Sequence, residues 1–255
     1  QGSRLTVEGN ITVAPGGTLT LDHATLILNG TDASLVVLPG GALRVLRGSL
    51  ITDAPADTDD GGPLDRHYHV ELQTGAEFYF QDSRIENAGV PGGGARLRGL
   101  FLESVVGAIC GADFVGRDSA MVFDRVAGLS VEGLRVNGSG GAGPDLQLVN
   151  ETRLDALGVE FTALAVSPDS TLVVRTAIEV VVEDATGKPI RGADLKMTDN
   201  GATIYASAGY GGAEARTDRA TDFDDLPLSN RMRAVARTYL GSTSPTASVT
   251  QISAK

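Results

Sequence analysis

His67-Tyr68-His69 is the sharpest chemical signal in the sequence. On a strand, alternate side chains share a face, so these two imidazoles could reach one metal ion, with Asp65 as a third ligand. A catalytic metal site needs three such groups and an open position. The competing reading is a polar strand leaving a loop, with two solvated histidines. Just upstream, Asp57, Asp59 and Asp60 join Asp65 in DAPADTDDGGPLD, a run whose oxygens could serve Ca²⁺, a hard ion taking roughly six to eight of them. A second acidic cluster is Asp218, Asp222, Asp224 and Asp225. Neither matches D-x-[DN]-x-[DN]-G, and the ordinary fate of such runs is a solvated loop. Calcium is the one cofactor these residues could hold; no other is implied.

Acid–base chemistry on sugars would need paired carboxylates, with Arg or Lys beside them. Laying LFLESVVGAICG over MVFDRVAGLSVEG puts Glu103 and Asp124 at matching positions, and the next segment, LQLVNETRLDALG, puts Val149 there. Asp113, Glu132, Asp155 and Glu160 look scattered. Trp is absent and Tyr scarce, so aromatic sugar platforms are hard to build. Cys110, the only cysteine, lies in VVGAICG and reads as a small buried hydrophobe; a catalytic thiol would want a nearby His, and His23, His67 and His69 are all early in the chain. No catalytic residue is therefore assigned.

The elements that position these residues announce themselves as a repeat. Pro15–Leu28, PGGTLTLDHATLIL, is echoed 24 residues later by Pro39–Thr52, PGGALRVLRGSLIT. A Pro-Gly-Gly turn leads into alternating apolar residues, a short polar break and a second apolar pulse. A short strand cannot bury its apolar face alone; stacking the next coil over it does so and pairs the backbone. The rhythm breaks at 53–70, returns at TGAEFYFQDSRIEN, and continues through coils from Leu100, Met121 and Leu146, at offsets of 21 and 25 residues. The first of these overlays requires a one-residue slip. The expectation is an all-β chain: about seven coils of a parallel β-helix over 1–174, then a second domain over 175–255. A flat Thr array of the ice-binding kind starts at Thr18, Thr20 and Thr25, but Ala42, Arg44 and Ser49 replace it in the next coil.

The phrases PGGTLTLDHATLIL and DSRIENAG resemble the right-handed parallel β-helix repeats of secreted bacterial and archaeal proteins. That fold is shared by pectate lyases and related polysaccharide-acting enzymes, and by non-catalytic surface proteins, adhesins and phage fibres. The segment IEVVVEDATGKPIRGADLKMTD, with Asp184, Gly187, Pro189, Ile190, Gly192 and Ala193, then Thr217-Asp218 and Leu226-Pro227, resembles carboxypeptidase-regulatory-like, immunoglobulin-like modules. The resemblance implies a small β-sandwich and says little about function. The usual Gly after the Thr-Asp is replaced here by Asp222-Phe223-Asp224-Asp225.

The net charge of −11 argues against nucleic acid and anionic membrane surfaces as partners. No apolar run approaches the ~18 residues of a membrane span, and a start at Gln1 is consistent with a removed leader. Four of the seven asparagines, Asn10, Asn29, Asn137 and Asn150, sit in N-x-[ST], where 38 Ser plus Thr in 255 residues predict about one. That enrichment points to an exported glycoprotein; good Asn-Gly turns alone would account for Asn29 and Asn137. The expected function is a non-catalytic extracellular or cell-surface structural protein. It would self-assemble into a filament, sheath or surface layer by strand pairing between subunits through Arg4, Leu5 and Val7 or Val249 and Ile252. Its partners are copies of itself, with surface glycans a further candidate. The rivals are a polysaccharide-binding or polysaccharide-degrading protein, marked by a groove along one sheet holding two or more carboxylates with Arg, and an adhesin stalk.

Overall fold

A computed structural model describes residues 2–30, 33–53, 67–90, 94–116, 120–137 and 144–181, and the strands Leu195–Asp199, Ala202–Ser207, Ser229–Leu240 and Thr250–Ala254. The chain is all-β; the one helical element among these residues is a 3-10 turn at Ala95–Leu97. Among the described residues no helix is long and apolar enough to cross a membrane. Contacts group the chain into two compact units, Gln1–Arg175 with Ala236–Pro245, and Thr176–Val235 with Thr246–Lys255.

After β1 (Arg4–Glu8), the first unit repeats a three-strand pattern. The first repeat is β2 (Ile11–Val13), β3 (Thr18–Asp22) and β4 (Thr25–Asn29); the second is β5 (Ala33–Val37), β6 (Ala42–Leu46) and β7 (Leu50–Asp53). The third is β8 (Tyr68–Leu72), β9 (Glu77–Gln81) and β10 (Arg84–Ala88), and the fourth β11 (Gly99–Glu103), β12 (Val106–Cys110) and β13 (Asp113–Gly116). The fifth is β14 (Ala120–Asp124), β15 (Gly128–Glu132) and β16 (Arg135–Asn137), and the sixth β17 (Leu146–Val149), β18 (Arg153–Leu157) and β19 (Glu160–Phe161). The chain then adds β20 (Leu164–Val166) and β21 (Thr171–Val181), two strands of a seventh repeat.

From β1 to β21 like strands pair with like in parallel, with one further contact between ladders, β10 on β8 at Ala88–Tyr68. The first ladder runs β1-β4-β7-β10-β13-β16-β19 and the second β2-β5-β8-β11-β14-β17-β20; the third runs β3 through β21 and ends on β24 (Ser229–Leu240). Each strand alternates, so one face of every ladder points into a shared core. The second ladder stacks Val13, Val37, Leu72, Leu102, Phe123, Leu148 and Val166. The third stacks Leu21, Val45, Phe80, Ile109, Val131, Ala156 and Val174. All are buried, each contributing about 1.5–3 kcal/mol when a full Val, Leu, Ile or Phe side chain leaves water. This stack of parallel strands in repeating sheets is compatible with a parallel β-helix.

The register departs from the sequence overlay at two corners. Thr18 pairs with Ala42 at an offset of 24, but Thr25 pairs with Leu50 at 25. Each described corner between the third and first ladders has one residue at positive φ, except in the second repeat, where Arg47 and Gly48 both do. Gly48, at φ 76°, is the inserted residue, and Ser49 turns inward instead of following Thr25. The Ser49 hydroxyl accepts from the Ala24 N–H (3.1 Å), and the Ser83 hydroxyl accepts from the Ser49 N–H (3.2 Å). Thr152 and Ser170 cap corner N–H groups of Val126 and Thr152 in the same way. Leu100–Glu103 lies over Met121–Asp124 without a slip; the extra residue falls in the following corner, so Val106 pairs with Gly128.

In the second unit, β22 (Leu195–Asp199) pairs antiparallel with β23 (Ala202–Ser207) and β25 (Thr250–Ala254), forming a three-stranded sheet.

Candidate functional site

The outer face of the second ladder carries the densest arrangement of ionisable groups. Glu103 and Asp124 are register partners, as the overlay expected, and Val149 follows Asp124. Both carboxylates face outward yet are almost buried, with side chains 11% and 10% exposed. What covers them comes partly from the 3-10 turn. Arg96 lies across the sheet, with Nη1 on Glu71 Oε1, Nη2 on Glu103 Oε2 (2.8 Å) and its guanidinium 4.7 Å from the Phe101 ring centre. Arg125 binds the other Glu103 oxygen, and the Asn150 amide donates to Asp124 Oδ1 (3.0 Å). Phe101 and Val122, which alternation places on the outer face, form a second small apolar cluster there with Val149.

Chemically this is a closed network. Both Glu103 oxygens accept from guanidinium groups, Arg96 on one and Arg125 on the other. Such a group ties segments together rather than shuttling protons. Glu103→Gln keeps the shape and removes the charge. Arg96 and Arg125 are about half exposed and can turn to water, so we expect a loss of about 1–2 kcal/mol, read as a lower urea midpoint. An unchanged midpoint would contradict the clamp.

A second candidate is a shallow groove of about 450 Å³ where the third ladder turns into the first. It lies beside the inserted Gly48 and is lined in part by Asp82, Arg84, Glu86 and Asp113, with no aromatic side chain. Arg84 pairs with Glu86 (2.8 Å). Asp113 Oδ1 lies 2.8 Å from Arg135 Nε, close enough for an ion pair but not aligned as a hydrogen bond. Asp82 makes no ion pair among the described residues, and its Oδ1 lies 2.6 Å from where a Cβ on Gly111 would sit. Glu160 and Asp113, which look scattered in sequence, share one row of the first ladder: Arg84, Asp113, Arg135, Glu160, alternating in sign.

Of the sequence-derived metal ligands, His67 and His69 alone are among the described residues. Asp57, Asp59, Asp60 and Asp65 lie outside the described residues, as do Asp218, Asp222, Asp224 and Asp225. His67 and His69 are half-buried and flank the fully buried Tyr68, as strand alternation requires. Among the described residues no three His, Cys, Asp or Glu side chains are placed to hold a metal ion. Cys110 is not the core residue expected: Ile109 takes the inward position, and Cys110 stands half-buried on the outer row between Gln81 and Glu132.

Of the sequon asparagines, Asn10, Asn137 and Asn150 are exposed and Asn29 is half-buried. Asn10 Oδ1 accepts the Ser34 N–H (3.0 Å). Asn150 is bound to Asp124 at φ 52°, and its sequon hydroxyl, Thr152, is fully buried in a corner. Both chain tails are tied to their own chain. Arg4, Leu5 and Val7 lie in β1, paired with β4; Ile252 lies in β25, opposite Met197; Val249 is outside the described residues. Assembly through these segments must therefore use their outer edges.

Compared with known proteins, the chain matches no family model, no curated protein and no solved structure.

Proposed function

We propose that this chain is a non-catalytic structural protein of the cell exterior, a rigid right-handed parallel β-helix followed by an immunoglobulin-like sandwich, built to assemble with copies of itself. The observation that carries this reading is where the outer charges go. Asp22–Arg47, Arg44–Glu77, Glu103–Arg125, Asp113–Arg135 and Asp155–Arg175 each join neighbouring repeats. Hydrogen bonds from Arg175 hold the Asp155 carboxyl below the usual range. Charges spent on holding repeats together favour a scaffold over an enzyme, whose acid and base must meet substrate. Negative-stain microscopy of native material tests the reading: filaments, sheets or arrays are expected, and uniformly single particles would defeat it.

The exterior location has its own test. In a glycosylating host, Asn10→Gln and Asn137→Gln should each remove one glycan mass. Asn150→Gln should leave the mass unchanged and lower stability, because the Asn150 amide and Thr152 hydroxyl are engaged in the fold. Absence of sugar at all four sites would remove the support that the sequons lend.

The groove beside Gly48 supports a second reading, a weak saccharide-binding surface. Arg84 and Glu86 offer a donor and an acceptor side by side, which suits neighbouring hydroxyls. Titration with neutral and acidic oligosaccharides tests it; no response in Asp82 or Arg84 signals would dismiss it.

A further inference from the structure

The first end of the stack is an open strand edge. Among the described residues, β1, β2 and β3 each have a strand partner on one side only. Leu5 is 54% exposed, although its row partner Leu26 is fully buried, and Val7, Ile11 and Leu19 pack on the core while partly exposed. Edges of this kind are normally blunted by Pro, Lys or a covering segment. The strands RLTVE, ITV and TLTLD contain neither Pro nor Lys. Arg4 and Glu8, at the two ends of β1, are exposed and make no ion pair among the described residues.

The backbone decides which groups face the gap. The Thr25 N–H donates to the Ser3 carbonyl (2.8 Å), and Thr25 is the register partner of Arg4. Alternate residues of a strand turn their backbone groups to the same neighbour. Ser3, Leu5 and Val7 therefore face β4, while Arg4, Thr6 and Glu8 present their N–H and C=O groups to the open side. An antiparallel strand laid there must pair these three residues with outward-facing residues of its own. Set β1 of a second copy against the whole of β1, and Thr6 meets Thr6, Arg4 meets Glu8 and Leu5 meets Val7. RLTVE is thus complementary to itself when reversed: opposite charges meet twice and apolar residues meet twice. The two-fold axis of such a pair stands perpendicular to the sheet, so Leu5 and Val7 of both copies stay on the core side. The same axis reverses the sense in which the chain circulates. It therefore lays β2 of each copy along β3 of the other, with Ile11, Val13, Leu19 and Leu21 all on inward rows.

We infer that two copies of this chain join at their first ends, with β1 pairing antiparallel to β1 about Thr6. This rests on the self-assembly proposed above and supplies one of its contacts, with its register. The joint uses the same surface on both partners, so it closes at two copies, and growth beyond the pair uses other surfaces. The occupant is a second copy because the edge itself carries the match. A strand that offers an anion to Arg4, a cation to Glu8 and apolar residues to Leu5 and Val7 is RLTVE read backwards.

Two readouts on the full chain test it. First, sedimentation over a range of concentrations should show a monomer–dimer step. Arg4→Glu or Glu8→Arg alone should weaken that step roughly tenfold, as the two exposed pairs of each joint turn from attraction to repulsion; both changes in one chain should restore it. Second, in a Cys110→Ser background, Thr6→Cys should give a disulfide-linked dimer on mild oxidation. Residues opposite each other in a hydrogen-bonded antiparallel pair lie about 5.5 Å apart between Cα atoms, within bridging range. Arg4→Cys alone should not cross-link, because in this register the two copies of that position are roughly 14 Å apart. Mixed with Glu8→Cys chains, it should. Oligomers that ignore the charge changes and give no disulfide with Thr6→Cys would overturn this joint while leaving self-assembly standing. A monomer at every concentration would overturn both.

Discussion

Gly107→Ala is expected to cost more than about 3 kcal/mol and to lower the melting temperature by roughly 6–12 °C. Gly107 occupies an inward position of β12, in the row Leu43, Phe78, Gly107, Leu129. Its neighbour Phe78 is fully buried, with its ring 5.7 Å from that of Phe80. A Cβ on Gly107 would lie 2.0 Å from the Phe78 carbonyl oxygen and 2.9 Å from its carbon. Those are backbone atoms, so no rotamer change relieves the clash. The backbone there also sits at φ 131°, a conformation that costs an L-residue further energy. β12 would have to move off β9, disturbing the third ladder mid-stack. Gly128→Ala on the adjacent strand is the control. Its Cβ would meet only the Val106 side chain at 3.4 Å, and Gly128 does not have positive φ, so a change within about 0.5 kcal/mol is expected. Thermal and urea unfolding of both variants would decide; equal effects would show that the close approach of β12 to β9 does not matter.

The same corner physics sets how far the sequence could be read. The repeat at Pro15 and Pro39 was legible because Pro-Gly-Gly turns and apolar alternation survive any small misalignment. Among the described residues the stack that follows has six complete repeats and two strands of a seventh. The slip at Gly48 was not legible. Matching Thr25 to Ser49 looks right by chemistry, hydroxyl over hydroxyl, but Ser49 is needed in the corner, where its oxygen takes the Ala24 N–H. A one-residue insertion leaves the alternation before and after it intact, so pattern alone cannot locate it.

The candidate site divides in the same way. Glu103 and Asp124 could be paired from sequence because β11 and β14 align without a gap. Arg96 could not, since it lies in the connection before β11 and reaches the sheet only through the fold. Phe101 misleads too: alternation places it outside, and outside it is, yet it is 2% exposed, with the Arg96 guanidinium over its ring. The row Arg84, Asp113, Arg135, Glu160 emerges only once the register is known, because its members are 22 to 29 residues apart at uneven offsets.

Tyr68→Phe should destabilise the chain by about 1–3 kcal/mol at neutral pH, with a difference that closes in alkali. Tyr68 is fully buried in β8, between two half-buried histidines. Its hydroxyl lies against the carbonyl oxygens of Ile51, at 3.1 Å, and Glu86. The described pairing of β7 with β10 ends at Ile51–Ile85, and the ladder shifts between Glu86 and Ala88 around Asn87, at φ 59°. The phenol thus serves carbonyls at a break in the ladder, and phenylalanine would leave them without it. Burial raises the phenol's pKa well above its ordinary value near 10, and the negative charges of Asp53 and Glu86 raise it further. The folded state therefore keeps its proton where the unfolded chain releases it. Stability from this group is fully present below about pH 10 and is lost as pH rises from there toward the folded-state value. The variant has no phenol to ionise, while every other titrating group is common to both proteins. Urea midpoints compared from neutral pH to about pH 11 should converge; a gap that stays constant would mean that Tyr68 ionises as freely in the fold as in the unfolded chain.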